Sequence, residues 1–243
     1  MAVREQALLR AKAAYVVSAR AMGRILGRAG LLPHITPSRD KRLHHWAFSL
    51  THIHEPKALI DLDVPWWTYR AIDEVESWLA ARPRPVSVFE YGSGASTLWL
   101  AKRAESVVTV EHQAGFAESM QSLFDSAGNI EVRVIAPRAT STPATPSRKE
   151  GYRHIDFSDY VATIDNVEGS FDLVVIDGRA REACLRRCVD RLRPDGMIVF
   201  DNSWRRRYRR AIVGSGLRER RLRGLTPTLP YPDATSLLTI PTV

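Results

Sequence analysis

Cysteine is almost missing from this chain: Cys184 and Cys188 are the only two among 243 residues. Four positions apart, they fall on one helix face, cannot staple a chain of this length, and point to a reducing compartment. No apolar run approaches 18 residues, which excludes a membrane-spanning helix. Arginines interrupt every apolar stretch near the N-terminus, so there is no secretory pattern either. Low-complexity composition and internal repeats are also lacking. With 44% hydrophobic and 26% charged residues the chain reads as ordinary globular, long enough to bury a substantial core.

Acidic residues are scarce in two segments. Of the net charge of +8, residues 1–32 carry +5 and residues 203–224 carry +8, which leaves −5 for the remainder. In the first segment Leu8, Ala11, Tyr15, Met22, Leu26 and Ala29 share one helical face, with Arg10, Arg20, Arg24 and Arg28 roughly opposite. Such a basic amphipathic helix packs on its own domain, serves as a transit peptide, or lies on an anionic membrane surface. The second segment, Trp204-Arg-Arg-Arg-Tyr-Arg-Arg-Ala211, is either a solvated helix face or a patch for phosphate or nucleic acid.

From residue 85 onward strands and helices alternate. Val86–Glu90, Ser106–Glu111, Ile130–Ile135, Phe171–Asp177 and Met197–Asp201 read as strands. Helices are expected over Thr97–Arg103, after Glu111 through about Ala127, over Phe157–Val167, from about Arg181 to Leu192 and through the arginine segment. Pro194–Gly196 reads as a turn, and Pro137–Gly151 as a mobile Thr/Ser/Pro loop. This alternation implies right-handed crossovers and a Rossmann-like, doubly wound, mostly parallel α/β sheet. Two closing strands, near Arg218–Arg223 and Thr235–Ile240, are too closely connected for a crossover and should form an antiparallel hairpin. Three units are expected: a basic N-terminal helical extension (1–32), a cap segment (33–82) with a helix over Thr68–Ala81, and the catalytic domain (83–243).

In open α/β sheets ligands bind at the carboxyl ends of the strands, where strand order reverses. The first strand–helix turn reads Glu90-Tyr91-Gly92-Ser93-Gly94-Ala95-Ser96-Thr97. A dinucleotide fingerprint would need glycine where Thr97 stands. Glu90 would repel a pyrophosphate but suits an ammonium or sulfonium, and Glu111 ends the second strand, where a carboxylate accepts both ribose hydroxyls. A positively charged adenosine without phosphate fits both, and S-adenosylmethionine is such a ligand.

These residues resemble class I S-adenosylmethionine-dependent methyltransferases. The likeness is carried by Phe89–Thr97, Val108-Thr-Val-Glu-His112, Phe171-Asp-Leu-Val-Val-Ile-Asp-Gly-Arg-Ala-Arg181 and Leu192–Ser203. Gly224-Leu-Thr-Pro, Ala234-Thr-Ser-Leu-Leu and Pro65-Trp-Trp-Thr-Tyr69 look like an uncharacterised bacterial branch. The resemblance implies a seven-stranded sheet whose last strand is antiparallel. It implies a cofactor site built from Glu90, Tyr91, Gly92, Ser93, Gly94, Ser96, Thr97, Glu111, His112, Asp177 and Gly178.

Asp177 ends the fourth of these strands and Asp201-Asn202 the fifth. Neighbouring strands lie about 4.8 Å apart, so both carboxylates should face one crevice. Asp177 is the candidate general base or a contact to the cofactor amine, and Asp201 a candidate structural cap of its strand end. Asp177, Asp201 and Asn202 together form an oxygen set suited to Mg²⁺, a placement that resembles catechol-type O-methyltransferases. Those enzymes carry a lysine where Ala180 stands here. Trp66, Trp67 and Tyr69 either cover the cofactor, wall the acceptor or simply pack, and His52 and His54, on one face of an extended segment, are metal ligands or bases, or else packing or surface histidines.

The expected activity is methyl transfer to an oxygen of a small-molecule or glycan-like acceptor, in the cytoplasm or at the inner face of a membrane. An RNA or other polyanion methyltransferase, and a non-catalytic membrane-surface protein on the same fold, are the alternatives.

Overall fold

In the computed structural model residues 36–52, 56–149 and 151–241 are described; the 1–32 helix and His54 lie outside them. The chain begins with α1 (Arg42–Ser49), α2 (Pro56–Asp61) and α3 (Tyr69–Ala80). Then follow β1 (Ser87–Tyr91), α4 (Ala95–Ala101), β2 (Ser106–Glu111), α5 (Ala114–Ala127) and β3 (Ile130–Val134). Two short strands, β4 (Arg138–Ala139) and β5 (Ile155–Asp156), precede α6 (Ser158–Ala162) and β6 (Phe171–Ile176). The chain closes with α7 (Arg181–Cys188), β7 (Leu192–Phe200), α8 (Arg206–Val213), β8 (Arg218–Gly224) and β9 (Asp233–Thr239).

Seven strands form one sheet in the order β3-β2-β1-β6-β7-β9-β8. β1, β2, β3, β6 and β7 are parallel, while β9 pairs antiparallel with both β7 and β8. This is the doubly wound sheet expected from the alternation, with the antiparallel hairpin at its edge. The order reverses between β1 and β6, so the ends of these two strands open the crevice. β6 reads Phe-Asp-Leu-Val-Val-Ile and is buried along its whole length, as a central parallel strand covered on both faces must be.

Residues 59–79 do not stand apart from this sheet. Leu59, Val64, Trp67, Ile72 and Val75 share one apolar cluster with Val88, Val107 and Val175. The aromatic segment before α3 is stitched to the closing hairpin. Trp66 Nε1 donates to Thr228 Oγ1, Thr68 N to Thr235 Oγ1 and Tyr69 N to Leu225 O. Trp67 meets Trp99 edge-to-face at 5.7 Å, and Tyr69 Oη lies 2.6 Å from His45 Nδ1. These contacts pack the segment against the sheet and the closing hairpin.

Two local readings change. Pro194–Gly196 is not a free turn but the bulged entry to β7, where the pairing with β6 shifts between Phe171 and Leu173. The Pro137–Gly151 stretch is tied down by the β4–β5 ladder and by a bridge from Pro146 to Asp156. Cys184 and Cys188 are free thiols in the core between α7 and the sheet, and burial pushes both thiols up in pKa.

Two arginines of the 203–224 segment are held in ion pairs. Arg209 grips Glu219 with two bonds of 2.6 Å, and Arg220 reaches Glu74 at 2.9 Å. Charged residues along β8 suit an exposed sheet edge, where they discourage pairing with another chain.

Candidate active site

The turn after β1 is built on a close backbone crossing. Gly92 has φ of +100°, and a Cβ there would lie 2.7 Å from Gly178 Cα. A Cβ on Gly178 would in turn meet Tyr160 Oη at 2.0 Å. Two glycines therefore let the loops leaving β1 and β6 touch at the switch point. Gly94 differs, because a Cβ there would meet nothing within 4 Å among the described residues. Its face looks onto open space at the start of α4, where a ligand can approach the backbone.

Below the loop sits Glu90, fully buried. Its oxygens accept from Ser96 Oγ and Thr97 Oγ1, each at 2.5 Å, and Thr97 Oγ1 also accepts from Gly94 N at 2.9 Å. Burial pushes the Glu90 carboxyl up to about 7, with the charge of Asp177 adding to the shift and the hydroxyl bonds opposing it. Glu90, Ser96 and Thr97 thus brace the loop from inside. Tyr91 turns its ring into the core, its hydroxyl donating to Val161 O at 2.8 Å, so only its backbone faces the loop.

This burial has a measurable consequence. A carboxyl pKa raised in the fold means the native state holds the proton more tightly than the unfolded chain. The stability Glu90 gives is complete below its ordinary value of 4.5 and is lost as pH rises to about 7. At about 1.4 kcal/mol per pH unit, the contribution is roughly 3 kcal/mol. Denaturant unfolding at pH 5 and pH 8 should show wild type losing about that much more stability than Glu90→Gln; equal losses would show that Glu90 keeps no proton in the fold.

Glu111, at the end of β2, is almost enclosed. Its Oε2 accepts from Ser93 N and Ser93 Oγ at 3.2 and 3.1 Å, and its Oε1 from His112 N and Gln113 N at 2.7 and 2.8 Å. Burial would raise its pKa, but the neighbouring His112 ring, 2.7 Å away, and the two backbone amides outweigh it and hold the carboxyl below its ordinary value. His112 is enclosed by the rings of Tyr152, Phe157 and Tyr160 at 5.9–6.2 Å. Its Nε2 is buried without a partner among the described residues. An anionic ribose acceptor, an orphan imidazole nitrogen beside it and an open glycine face suit an adenosine with a cationic tail.

On the other side of the crevice the metal reading is overturned. Arg181 is buried and its guanidinium spans the two strand ends. It donates to Asp177 Oδ1 at 2.6 Å and to the backbone oxygens of Asp177 and Asp201, while its Nε donates to Gly178 O at 3.1 Å. Nη1 lies 3.9 Å from Asp201 Oδ2. A fixed cation already stands between the carboxylates that were to share a divalent ion. The third supposed ligand, Asn202, donates its amide to Asp233 at 2.8 Å, and Asp201 accepts from Thr235 Oγ1 at 2.9 Å. These residues do not fit Mg²⁺, and no group of three His, Cys, Asp or Glu with metal-binding geometry occurs among the described residues.

Burial, reinforced by the neighbouring Asp177 charge, lifts the Asp201 carboxyl well above its usual range. Burial also raises Asp177, against the opposing pull of Arg181, Arg205 and Arg179. Only Oδ1 of Asp177 is engaged by a described residue, and the side chain keeps 22% of its surface exposed. A cavity of about 210 Å³ opens next to Arg181, between Ala144–Arg148, the first turn of α7 and Tyr208.

Comparison with known proteins defines the class. Residues 89–203, from β1 through the turn after β7, match the model of a methyltransferase domain. These residues carry a methyltransferase domain of the S-adenosylmethionine-dependent kind. Among solved structures the chain is similar to an rRNA methylase from Streptococcus thermophilus (14% identity, 70% of this chain and 96% of that one, TM-score 0.49). It is also similar to a magnesium protoporphyrin IX methyltransferase from Synechocystis with bound S-adenosylmethionine (12%, 70% and 78%, 0.45). A methyltransferase-like protein from Silicibacter pomeroyi is a third (21%, 70% and 87%, 0.45). No curated protein matches the chain.

The residues singled out in the sequence fall into two groups. Gly92, Ser93, Gly94, Glu111, His112, Asp177 and Gly178 come together at the crevice, whereas the side chains of Glu90, Tyr91, Ser96 and Thr97 turn inward. Tyr152, Tyr160, Lys149 and the bridging role of Arg181 were not legible: the first three come from the loop and α6 between β3 and β6, remote in sequence from every motif. No helix among the described residues is long and apolar enough to cross a membrane.

Proposed function

We propose that this methyltransferase acts on a hydroxyl of a small-molecule or glycan-like acceptor, with Asp177 as general base. The observation that carries the reading is the state of Asp177: one carboxylate oxygen held by Arg181, the other without a partner among the described residues and open to the crevice. Burial of the carboxyl favours proton uptake. On this reading Glu111 holds the ribose, the Gly92–Gly94 backbone the methionine part, and His112 and its rings the adenine. The bound cofactor supplies an electrophilic methyl group. The chain supplies alignment, exclusion of water by the aromatic wall, and removal of the hydroxyl proton at the free Asp177 oxygen. Arg181 keeps Asp177 oriented but, as a guanidinium, takes no proton itself.

Methyl transfer from labelled S-adenosylmethionine to a fraction of small hydroxylated metabolites tests this, with products identified by mass spectrometry. The product should be an O-methyl compound. Turnover should fall with pH as Asp177 protonates. Asp177→Asn should lower it by about 10²–10⁴-fold, the usual worth of a general base, while S-adenosylhomocysteine affinity stays within about threefold. Label on nitrogen, or unchanged turnover in Asp177→Asn, would overturn the assignment.

A further inference from the structure

Around the mouth beside Asp177 the charge is not balanced. Arg181 is the counter-ion of Asp177, but Lys149, Arg179, Arg205 and Arg207 come from three separate segments and pair with no carboxylate among the described residues. Arg179 lies 5.0 Å from the centre of the Tyr152 ring and Lys149 5.7 Å from the same ring. Arg207 stacks on Tyr208 at 4.9 Å, the ring that Arg181 approaches from 5.9 Å. The Nε atoms of Arg179 and Arg207 are buried and have no hydrogen-bond acceptor among the described residues. The nearby acids are otherwise engaged: Glu182 with Arg148, Asp159 with Arg138, Asp201 with Thr235.

Packing like charges together is unfavourable unless something answers them. Burial and then the charges of Arg179, Arg205, Arg181 and Arg207 pull the Lys149 ammonium below its ordinary range, a direct mark of this crowding. Stacking on tyrosines fixes guanidinium planes without neutralising them, leaving their N–H edges for an oxyanion.

We infer that Lys149, Arg179, Arg205 and Arg207 form a clamp for an oxyanion, phosphate or carboxylate, carried by the methyl acceptor beside the hydroxyl that is methylated. The inference rests on the reading of this mouth as the acceptor side. A small anion suits it better than a nucleic acid, because Lys149 and Arg179 share one ring, Tyr152, and Arg207 lies on Tyr208 beside the Arg181 that holds Asp177, a cluster of a few side chains rather than an extended stripe. Of the other arginines between Trp204 and Ala211, Arg209 holds Glu219 and Arg206 and Arg210 are exposed.

Calorimetric titration of pyrophosphate into the full chain tests the clamp, with S-adenosylhomocysteine titrated alongside. Wild type should bind pyrophosphate, and Arg179→Gln/Arg205→Gln should weaken it at least tenfold, as expected on losing two charge-assisted contacts. The exposed pair Arg206→Gln/Arg210→Gln should bind as wild type does. No pyrophosphate binding by a protein that binds S-adenosylhomocysteine, or equal weakening in both pairs, would overturn the clamp. So would an RNA oligonucleotide bound tightly through Arg206 and Arg210. Transfer assays with phosphorylated, carboxylated and neutral hydroxyl compounds separate the oxyanion sources: the preferred anionic class should lose its advantage over neutral acceptors in Arg179→Gln/Arg205→Gln. Undiminished preference in that variant removes the clamp and leaves O-methylation standing. Clamp-dependent pyrophosphate binding with label only on nitrogen removes O-methylation instead.

Discussion

Glu111→Ala should weaken S-adenosylhomocysteine binding by about a hundredfold or more, the value of two hydrogen bonds to a charged group at about 1.5–3 kcal/mol each. The carboxylate does two jobs. It is the anion at the end of β2 that a ribose diol would meet, and it already orders the loop by accepting from Ser93 on one side and from His112 and Gln113 on the other. Removing it therefore frees the Ser93 end of the glycine loop as well as the ligand contact. Glu111→Gln keeps the size but replaces one acceptor oxygen with a donor, so it should fall between wild type and alanine. Calorimetry on all three proteins, each checked for a native circular dichroism spectrum, measures this. Alanine binding within a few-fold of wild type would remove Glu111 from the cofactor site.

The largest stability effect is expected at Gly92. In Gly92→Ala the residue must hold φ of +100°, in a region L-residues rarely adopt, and place its Cβ 2.7 Å from Gly178 Cα. Backbone strain of about 1–3 kcal/mol and overpacking of about 1–3 kcal/mol act together. The obstacle is backbone, not the end of a flexible side chain, so β1 and β6 must separate at the switch point for it to fit. We expect a loss of about 2–6 kcal/mol and a fall in melting temperature of roughly 10 °C for a chain of this size. Gly94→Ala is the control. Its Cβ meets nothing within 4 Å among the described residues, so its melting temperature should barely change while cofactor affinity falls, because the added methyl group fills ligand space. Equal melting temperatures for Gly92→Ala and wild type would show that the loops do not cross this closely.

Where acids sit at strand ends was readable from the chain. Where their cation sits was not. Asp177 and Asp201 follow apolar runs of adjoining strands, and that spacing suggests a shared ion without saying which one. The answer depends on Ala180, whose φ of +48° turns the chain so that Arg181 points back across the strand ends. A left-handed alanine costs about 1–2 kcal/mol by itself and is held there by tertiary packing, so no local propensity announces it. The aromatic Trp66–Tyr69 segment escaped the sequence in the same way. Its partners, Thr228, Thr235 and Leu225, lie more than 150 residues away and meet it only once the closing hairpin is formed.

The sequence by itself determined the alternation of apolar strands with amphipathic helices, the doubly wound sheet with its antiparallel edge, and the spacing from the Gly92 turn to Glu111 on which the expected cofactor site rests. These are local: periodicity, glycine at a turn and a carboxylate at a strand end are each written within a few residues. The tertiary structure alone decided that Glu90 braces the loop from beneath, that Arg181 takes the place assigned to a metal, and that four other cations gather at the mouth. Those are matters of direction and neighbourhood between segments far apart in the chain. Desolvation and Coulomb energy, which settle the charge state of each group, depend on that neighbourhood and on nothing the spacing of residues records.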